Sequence, residues 1–202
     1  REPLGSVPAA MSVVHGDDVN KARPTTGLDE SLRRVPGVFV QNSGNYAQDF
    51  RVQVRGFGTR AAFGIREVSV LVDGLPETLP DGQSQVDTIE LATIQRVEVL
   101  RGAGAALYGN AAGGVIHLFT ADPPARPGAN LSVTGGSYAM AKVVGQIGAQ
   151  GETLGGIATG SYFQTDGYRD HSGAQNTTFV GRLLWDVAER TQLKILLDGA
   201  HA

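Results

Sequence analysis

The chain has 202 residues, a net charge of −3, an apolar share of 41% and a charged share of 18%, the last below the roughly 25% usual for soluble domains. That length admits one large domain or two small ones, the apolar share suffices for a core, and the charge gives no reason to expect nucleic acid. The absence of cysteine excludes a disulfide scaffold and a Cys-ligated metal site.

Glycine is the outlier, with 28 residues, about twice its usual share of roughly 7%. It is spread without a collagen period, which suggests many turns and closely approaching backbones. No run approaches the roughly 18 apolar residues of a membrane-spanning helix. The chain begins REPLGSVPAA, without an initiator Met or an apolar leader, so its start is expected to be processed or truncated.

In chain order, the apolar run Met11 to Val14 predicts a strand. TTGLDESLRRVPG predicts a short helix: Thr26 with Asp29 gives a weak capping box, Leu28, Leu32 and Val35 share one face, and Pro36-Gly37 ends it. GVFVQ reads as a strand and NSGNYAQD as a polar loop. FRVQVRGFG alternates, with Val52 and Val54 on one side and Arg51, Gln53 and Arg55 on the other, as in a half-buried strand. GTRAAFGIRE reads as a loop, VSVLVDGLP as a strand ended by an Asp-Gly turn, and PETLPDGQSQVD as a long polar loop. TIELATIQ predicts a short helix. RVEVLRG and GGVIHLFT are two further strands.

The stretch ADPPARPG, residues 121–128, carries three prolines, which a sheet interior does not accommodate. It is the expected boundary between a domain over 1–123 and a second over 124–202. Beyond it the texture changes. Leu131, Val133, Ala141, Val143, Ile147 and Ala149 share one parity, and Ser132, Thr134, Lys142, Gln146 and Gln150 the other. Phe179, Leu183 and Trp185 alternate with Thr178, Arg182 and Asp186; Leu193, Ile195 and Leu197 alternate with Gln192, Lys194 and Asp198. The run 153–163 is less regular, because Ile157 sits with the threonines. Four long strands are predicted, over roughly 130–150, 153–165, 176–187 and 191–200. They fit a soluble antiparallel sheet with one wet face. They also fit a membrane β-barrel with aromatics near the strand ends, where Tyr162 and Trp185 fall. The alternation by itself leans to the soluble sheet, because the barrel signal is weak per segment.

VEVLRGAGAALYGNAAGGVIHLFT, residues 97–120, places a glycine-rich loop between two strands. A dinucleotide fingerprint needs a third glycine where Leu107 stands, and a Walker A loop needs Lys and a hydroxyl where Asn110 and Ala111 stand. A short helical turn, GAALYG, fits better, with Ala111, Ala112, Gly113 and Gly114 letting another backbone or a wall pack close.

Taken in order, LRRVPGVFVQ, RVQVRGFG, VSVLVDGLP, IQRVEVLRGAGAALYGNAAGGVIHLFT and the proline stretch resemble the plug domain of TonB-dependent outer-membrane receptors. The tail, including TDGYRDHS and GRLLWDV, resembles the first barrel strands of the same family. The resemblance implies an α+β plug domain followed by the opening antiparallel strands of a transmembrane β-barrel. Four strands cannot close a barrel of the 22-stranded, plugged kind, so the chain is expected to be a fragment with an unpaired strand edge and an apolar face.

The resemblance also implies roles. Arg55 and Arg101, each ending a strand before a glycine, would lock plug to wall by pairing with barrel glutamates beyond Ala202. A guanidinium presents a rigid fork to carboxylates, and breaking one such buried pair costs roughly 3–5 kcal/mol. Loops 58–66 and 75–87 would be apices that touch the substrate through Thr59, Arg60, Asp81 and Gln83, with Arg60 and Arg66 favouring an anionic ligand such as a ferric chelate. The implied activity is import across a bacterial outer membrane, with the plug in the barrel lumen and facing the periplasm. The cargo is a ferric siderophore in the first place, with cobalamin, another metal complex or a carbohydrate as alternatives. The implied partners are TonB, through a box for which residues 1–20 offer no match, the small ligand, and outer-membrane lipid.

Two other classes stay open on the residues themselves: a soluble β-rich binding module and a nucleotide-dependent enzyme. Asp73-Gly74 reads as a turn, Tyr108 as a packing aromatic with a bonded hydroxyl, and His117 as a structural histidine. Glu90 and Glu98 show no evident pairing. No catalytic set, metal site or cofactor is expected.

Overall fold

The computed structural model describes residues 10–20, 25–41, 50–59, 64–84, 86, 89–109 and 111–201. The chain divides into two compact units, Arg1–Thr120 and Ala121–Ala202.

The first unit opens with β1 (Ala10–His15), α1 (Gly16–Asn20), α2 (Asp29–Leu32), β2 (Val38–Gln41) and β3 (Arg51–Val54). β4 (Ile65–Arg66), β5 (Val68–Val72), β6 (Leu75–Pro76) and β7 (Gln83–Ser84) follow. A 3-10 turn over Leu91–Thr93 leads into β8 (Ile94–Arg101), and a 3-10 stretch over Ala103–Tyr108 leads into β9 (Gly114–Thr120). The central sheet has the order β1-β8-β9-β5-β6. All its pairings are antiparallel except β5 with β9. β2 pairs with β3, and β4 with β7, as separate two-stranded ladders.

Alternation along the strands decides which side chains fill the core. Val97 and Val99 of β8, Ile116 and Leu118 of β9, and Val68, Val70 and Val72 of β5 form one buried cluster. Leu28, Leu32 and Val35 close over it, the helical face expected from their spacing. The helix is one turn long, and its start differs from expectation. Thr26 bonds Glu30 rather than Asp29, with Oγ1 and the backbone N–H both donating to Glu30 Oε1 at 3.0 Å. Asp29 instead receives Arg33 Nη2 at 2.9 Å, because residues four apart on a helix face each other. The opposite face of the sheet carries a smaller cluster of Leu71, Val115, Ala105 and Ala111, with Leu100 packed against it.

Two loop readings conceal short strands, Ile65–Arg66 and Gln83–Ser84, which pair with each other. The helix expected in TIELATIQ shrinks to Leu91–Thr93. Glu90 accepts from Ala92 N at 2.9 Å, and Thr93 Oγ1 donates to Glu90 O at 2.7 Å. The β-branched run from Ile94 then pairs with β9 instead of continuing the turn. α1 is not legible in the sequence, since five residues are too few to show a period.

β8 and β9 are antiparallel neighbours, so the glycine-rich link between them is a return and not a βαβ crossover. That removes the geometry a nucleotide-binding loop requires. The small residues admit the unit's own backbone. A Cβ on Gly113 would lie 2.7 Å from Phe57 Cβ and 3.0 Å from Glu67 O. Gly114 has φ 147°, and a Cβ there would lie 2.6 Å from Leu100 O.

The second unit is a meander of five strands: β10 (Gly128–Gly135), β11 (Ala141–Gln150), β12 (Leu154–Thr165), β13 (Ala174–Ala188) and β14 (Thr191–His201), each pairing with the next. The single strand expected over 130–150 is thus two. Gly136 N donates to Met140 O at 2.8 Å across the reversal, where Tyr138 and Ala139 take positive φ. Leu131, Val133, Ala141 and Val143 keep one parity through this turn, so the alternation does not reveal it.

Exposure in this unit is reversed relative to a half-wet sheet. Thr159, Ser161, Thr178 and Lys142 are buried, whereas Leu131 is 70% exposed, Ile147 63% and Leu197 62%. Ser161 and Thr178, register partners, bond hydroxyl to hydroxyl at 2.6 Å, and Gln146 Nε2 donates to Thr159 Oγ1 at 3.1 Å. Ile157 lies on this polar side, as its parity implied. Trp185 faces Leu154 and Tyr162 faces Thr177, so the two aromatics stand near opposite ends of the sheet. Eight residues of β12 separate these levels, about 27 Å along the strand, comparable to the apolar band of ~25 Å on membrane barrels.

The proline stretch is fixed to this sheet. Arg182 Nη2 pairs with Asp122 at 2.8 Å and Nη1 donates to Ala121 O at 3.0 Å. A Cβ on Gly148 would lie 2.7 Å from Pro124 Cδ, and one on Gly155 3.2 Å from Pro123 Cβ.

Gly113→Ala is expected to lower the stability of the first unit by ~1–3 kcal/mol through overpacking, read as lost hydrogen-exchange protection in β9. Gly145→Ala, whose added Cβ meets nothing within 4 Å, is expected to change protection in β11 by no more than ~0.5 kcal/mol.

Candidate functional site

Two places in the first unit gather the polar residues that sequence reasoning singled out. The first is the β4–β7 ladder and its loops. Pairing of Ile65–Arg66 with Gln83–Ser84 sets Arg66 opposite Gln83, and Arg66 Nη2 donates to Gln83 Oε1 at 3.3 Å. Asp81 Oδ1 accepts from Gln83 N at 3.0 Å, an Asx turn that fixes the tip of the loop. Gly64 takes φ 72° beneath Gln83, and a Cβ there would lie 2.8 Å from Gln83 Nε2. Thr59 donates from Oγ1 to Gly56 O at 3.3 Å and is exposed. Arg60 lies outside the described residues. The structure therefore joins Arg66, Asp81 and Gln83 in one exposed polar group, whereas Thr59 bonds within its own turn.

Below this group lies a hydroxyl hub that sequence reasoning missed. Thr78 Oγ1 accepts from Val70 N at 2.9 Å and stands 2.6 Å from Ser84 Oγ and 3.4 Å from Ser69 Oγ. Ser84 Oγ donates in turn to Val68 O at 3.2 Å. One side chain thus ties the loop between Pro76 and Pro80 to the central strand β5. The available signal was a lone β-branched hydroxyl between two prolines in an otherwise solvated loop. Glu67 was missed as well. It takes φ 63°, accepts from Gly58 N through Oε2 at 2.7 Å, and its carbonyl accepts from Gly113 N at 2.8 Å. Glu67 therefore connects the 58–66 loop to the glycine-rich return. Its strained backbone is held by bonds on both sides.

The second place contains Arg55 and Arg101. Val54 and Phe57 exchange backbone bonds at 3.1 and 3.0 Å, while Arg55 and Gly56 take φ 51° and 90°. That is a two-residue hairpin turn with both central residues left-handed. Asp73 and Gly74 repeat it at φ 51° and 90°. Asp73 also accepts from Thr120 N at 3.2 Å, as suits a turn residue. Arginine has no local side-chain bond that favours this conformation, so Arg55 is held there by the hairpin. Among the described residues its guanidinium makes no hydrogen bond or ion pair, and it is exposed.

Arg101 differs. Its Nε donates to Ala10 O at 3.3 Å, its Nη2 to Ser12 Oγ at 2.6 Å, and its Nη1 to Pro36 O. The two arginines flank the same glycines. A Cβ on Gly37 would lie 3.8 Å from Arg101 Nη1 and 3.9 Å from Arg55 Cγ, and one on Gly102 3.5 Å from Arg55 Nη1. Among the described residues, the Arg101 guanidinium is bonded to neutral oxygens alone and the Arg55 guanidinium to nothing, although Arg55 N donates to Gly37 O at 3.1 Å. Two positive charges thus share one corner, and no described carboxylate is bonded to either.

The remaining candidates take structural places. His117 stacks on Phe119 at 3.9 Å, and Arg96 lies over the Phe119 ring at 4.0 Å. Glu98, read as unpaired, forms an ion pair with Arg96 at 2.9 Å, and Glu90 caps the Leu91–Thr93 turn. Tyr108, read as packed, is 44% exposed beside Leu107 at 89%, because the 3-10 stretch turns Ala105 inward instead. Among the described residues no group of three or more His, Asp or Glu stands close enough to hold a metal.

Comparison with known proteins agrees with this architecture. The family described as TonB-dependent Receptor Plug Domain matches residues 3–115. The vitamin B12 transporter BtuB of Photobacterium profundum is 31% identical over 207 residues, covering 96% of this chain and 32% of that protein. Its counterpart in Vibrio vulnificus is 34% identical over 140 residues, covering 69% of this chain and 22% of that protein. Among solved structures, the siderophore receptor PirA from Pseudomonas aeruginosa superposes with a TM-score of 0.73 at 26% identity, covering 96% of this chain and 35% of that one. The pyoverdine outer membrane receptor FpvA from Pseudomonas aeruginosa gives 0.77 at 23% identity, covering 96% of this chain and 28% of that one, a likeness of fold. The chain spans about a third or less of the length of these proteins. With the family matched over residues 3–115, followed by a meander like the opening of such a barrel, the chain belongs to the TonB-dependent receptor plug-domain family, whose members are transport receptors and not enzymes.

Proposed function

We propose that the protein to which this chain belongs is an active importer of the bacterial outer membrane. Residues 1–123 form its plug, within the barrel lumen and facing the periplasm, and residues 124–202 form the opening strands of the barrel wall. The observation that carries this reading is the reversed polarity of the second unit. A sheet that buries threonines and a lysine and exposes leucine, isoleucine and tryptophan is stable where its outer side meets lipid. In water it would be an aggregation surface. That polarity counts against the soluble binding module. The antiparallel return between β8 and β9 counts against a nucleotide-dependent enzyme.

The cargo we propose is a ferric siderophore. Arg66 offers a cation on the exposed β4–β7 group, which suits an anionic chelate, and Gln83 and Asp81 beside it offer donors and acceptors to a polar rim. Arg60 and Thr59, on the neighbouring loop, would extend that surface. Cobalamin is the second reading, and the specific observation favouring it is the 31% and 34% identity to two vitamin B12 transporters. TonB would supply the energy through a box that residues 1–20 do not contain, and outer-membrane lipid would meet the apolar face.

The two arginines fit a lock between plug and wall. Arg55 presents an unengaged fork, held outward by its left-handed turn, to which a wall carboxylate can bind bidentately. Arg101 adds a second charge at the same corner.

Three outcomes test this reading. The full protein should fractionate with the outer membrane, and cells carrying it should accumulate labelled iron from at least one ferric siderophore in a TonB-dependent manner. Accumulation of cobalamin alone would transfer the assignment to the second reading, and recovery from the soluble fraction would end both. Arg55→Ala should leave the plug folded yet make the barrel leaky, measured as sensitivity to antibiotics too large for porins. Arg55→Lys should restore this only in part, because an ammonium lacks the fork. Thr78→Val should loosen the 75–87 loop and weaken ligand binding several-fold, since it removes the hydroxyl that accepts from Val70 N and leaves Ser84 Oγ bonded to Val68 O without Thr78.

A further inference from the structure

Among the described residues, the N-terminal strand β1 occupies the edge of the central sheet and pairs with β8 alone. Its ladder runs from Ala10 opposite Arg101 to His15 opposite Arg96. Of its side chains only Val14 is buried in the core. Apart from the two-residue β6 at the other edge, it is the strand of that sheet with the fewest buried side chains. Yet three charge-assisted bonds converge at its outer end, all from one residue.

Arg101 sits at the end of β8, on the parity of Val97 and Val99, so its side chain leaves on the core side where the core stops. There it turns back across its own register partner. Nε reaches Ala10 O at 3.3 Å, Nη2 reaches Ser12 Oγ at 2.6 Å, and Nη1 reaches Pro36 O in the turn after α2. Two of the three bonds grip β1, and the third braces the guanidinium against the Pro36-Gly37 turn.

We propose that Arg101 is a positioning residue that clasps β1 to the sheet, so that this one side chain sets how readily the N-terminal strand leaves the fold. An antiparallel edge strand pulled from its Ala10 end opens one ladder bond at a time. Here the first three residues cannot peel singly, because the same guanidinium holds residues 10 and 12 and is itself braced from a third element. Bonds from a charged donor are roughly twice as strong as neutral ones, so the clasp is concentrated where peeling starts. Arg55 is the internal comparison. It has the same chemistry at the same corner but no bond to β1. If energy reaches the plug through its N-terminal segment, a clause that rests on the proposed import function, Arg101 is, among the described residues, the first side-chain contact that energy must break.

The test needs no energy source and so stands apart from that function. The 202 residues hold no cysteine, so Val14→Cys in the full protein, purified in detergent with any cysteines elsewhere removed, reports the opening of β1 through its maleimide labelling rate. Arg101→Met is expected to raise that rate about tenfold or more, and Ser12→Ala several-fold. Ser12→Ala added to Arg101→Met should raise it little further, because both act through one contact. Arg55→Met, which removes a like charge and no bond to β1, should not raise it, and Val70→Cys on β5 should remain slow in every background. The proposal is overturned if Arg101→Met and Ser12→Ala leave the Val14→Cys rate unchanged. It is also overturned if Arg55→Met raises the rate as much, or if Val70→Cys labels faster in parallel, since the loss would then be global. Should Arg101→Met fail to fold, hydrogen exchange in Ser12→Ala decides: protection lost several-fold at residues 11–15 alone supports the clasp, and unchanged protection there refutes it.

Discussion

A sheet that turns its threonines inward and its leucines outward needs a surrounding that is not water. Burial of apolar surface is the main favourable term in folding, and the 128–201 meander withholds it from its own leucines. Leu131, Ile147, Phe179 and Leu197 stay exposed while Ser161 bonds Thr178 on the covered side. Its internal order therefore rests on backbone ladders and cross-strand hydroxyl pairs. The apolar side is left to whatever medium surrounds it. This explains why the sheet can be regular and yet carry no core of its own. It also explains the strap of Pro123 and Pro124 over Gly155 and Gly148, fixed by Arg182 to Asp122. On a side without apolar packing, glycine contacts and a paired charge hold the chain in place.

The first unit obeys the ordinary rule, with a difference at its corners. Its sheet is covered on one face by the Val97–Ile116–Val70 cluster and on the other by the small patch around Leu71 and Val115. That second face is covered by alanines, and beside the larger cluster the backbone comes close to Phe57 and Leu100 because Gly113 and Gly114 have no side chain. The apolar content of such a unit is modest, and its polar content does more of the positioning. Thr78 holds a loop to β5, Glu67 holds two loops to each other, and Asp73 holds a hairpin to β9. A body whose loops are tied by single side chains can release one loop without losing its core.

Much of this was legible in the sequence, for reasons that can be stated. Leu28, Leu32 and Val35 declared a helical face by spacing, and Val52 and Val54 declared a strand face by alternation; both periods follow from backbone geometry. The missed features lack a period. The reversal at residues 136–140 preserves parity between Val133 and Val143, so it leaves no break in the pattern. The two-residue strands β4 and β7 are shorter than any alternation. Thr78 and Glu67 matter through what they touch, which no spacing encodes. Of the residues expected at the loop tips, Arg66 and Gln83 meet because the chain pairs 65–66 with 83–84. Their 17-residue separation gave no hint of that.

The two arginines show how similar local sequence produces different physics. Each ends a strand and precedes a glycine, and the family resemblance implies the same lock role for both. Arg55 lies inside a hairpin turn, where positive φ at Arg55 and Gly56 reverses the chain at once and leaves the side chain exposed beside Gly102. Arg101 lies at the end of an eight-residue strand whose next residue, Gly102, takes φ 87° only after the strand has ended. Its side chain keeps the direction of the core-facing residues before it. One guanidinium is therefore directed outward, with no bond among the described residues, and the other is directed back across the sheet edge and bonded three times. Because they share the space above Gly37 and Gly102, a carboxylate arriving at Arg55 would also lie near Arg101 and weaken the repulsion between them. Docking at the corner and retention of the N-terminal strand would then be coupled through charge, without any movement of the core.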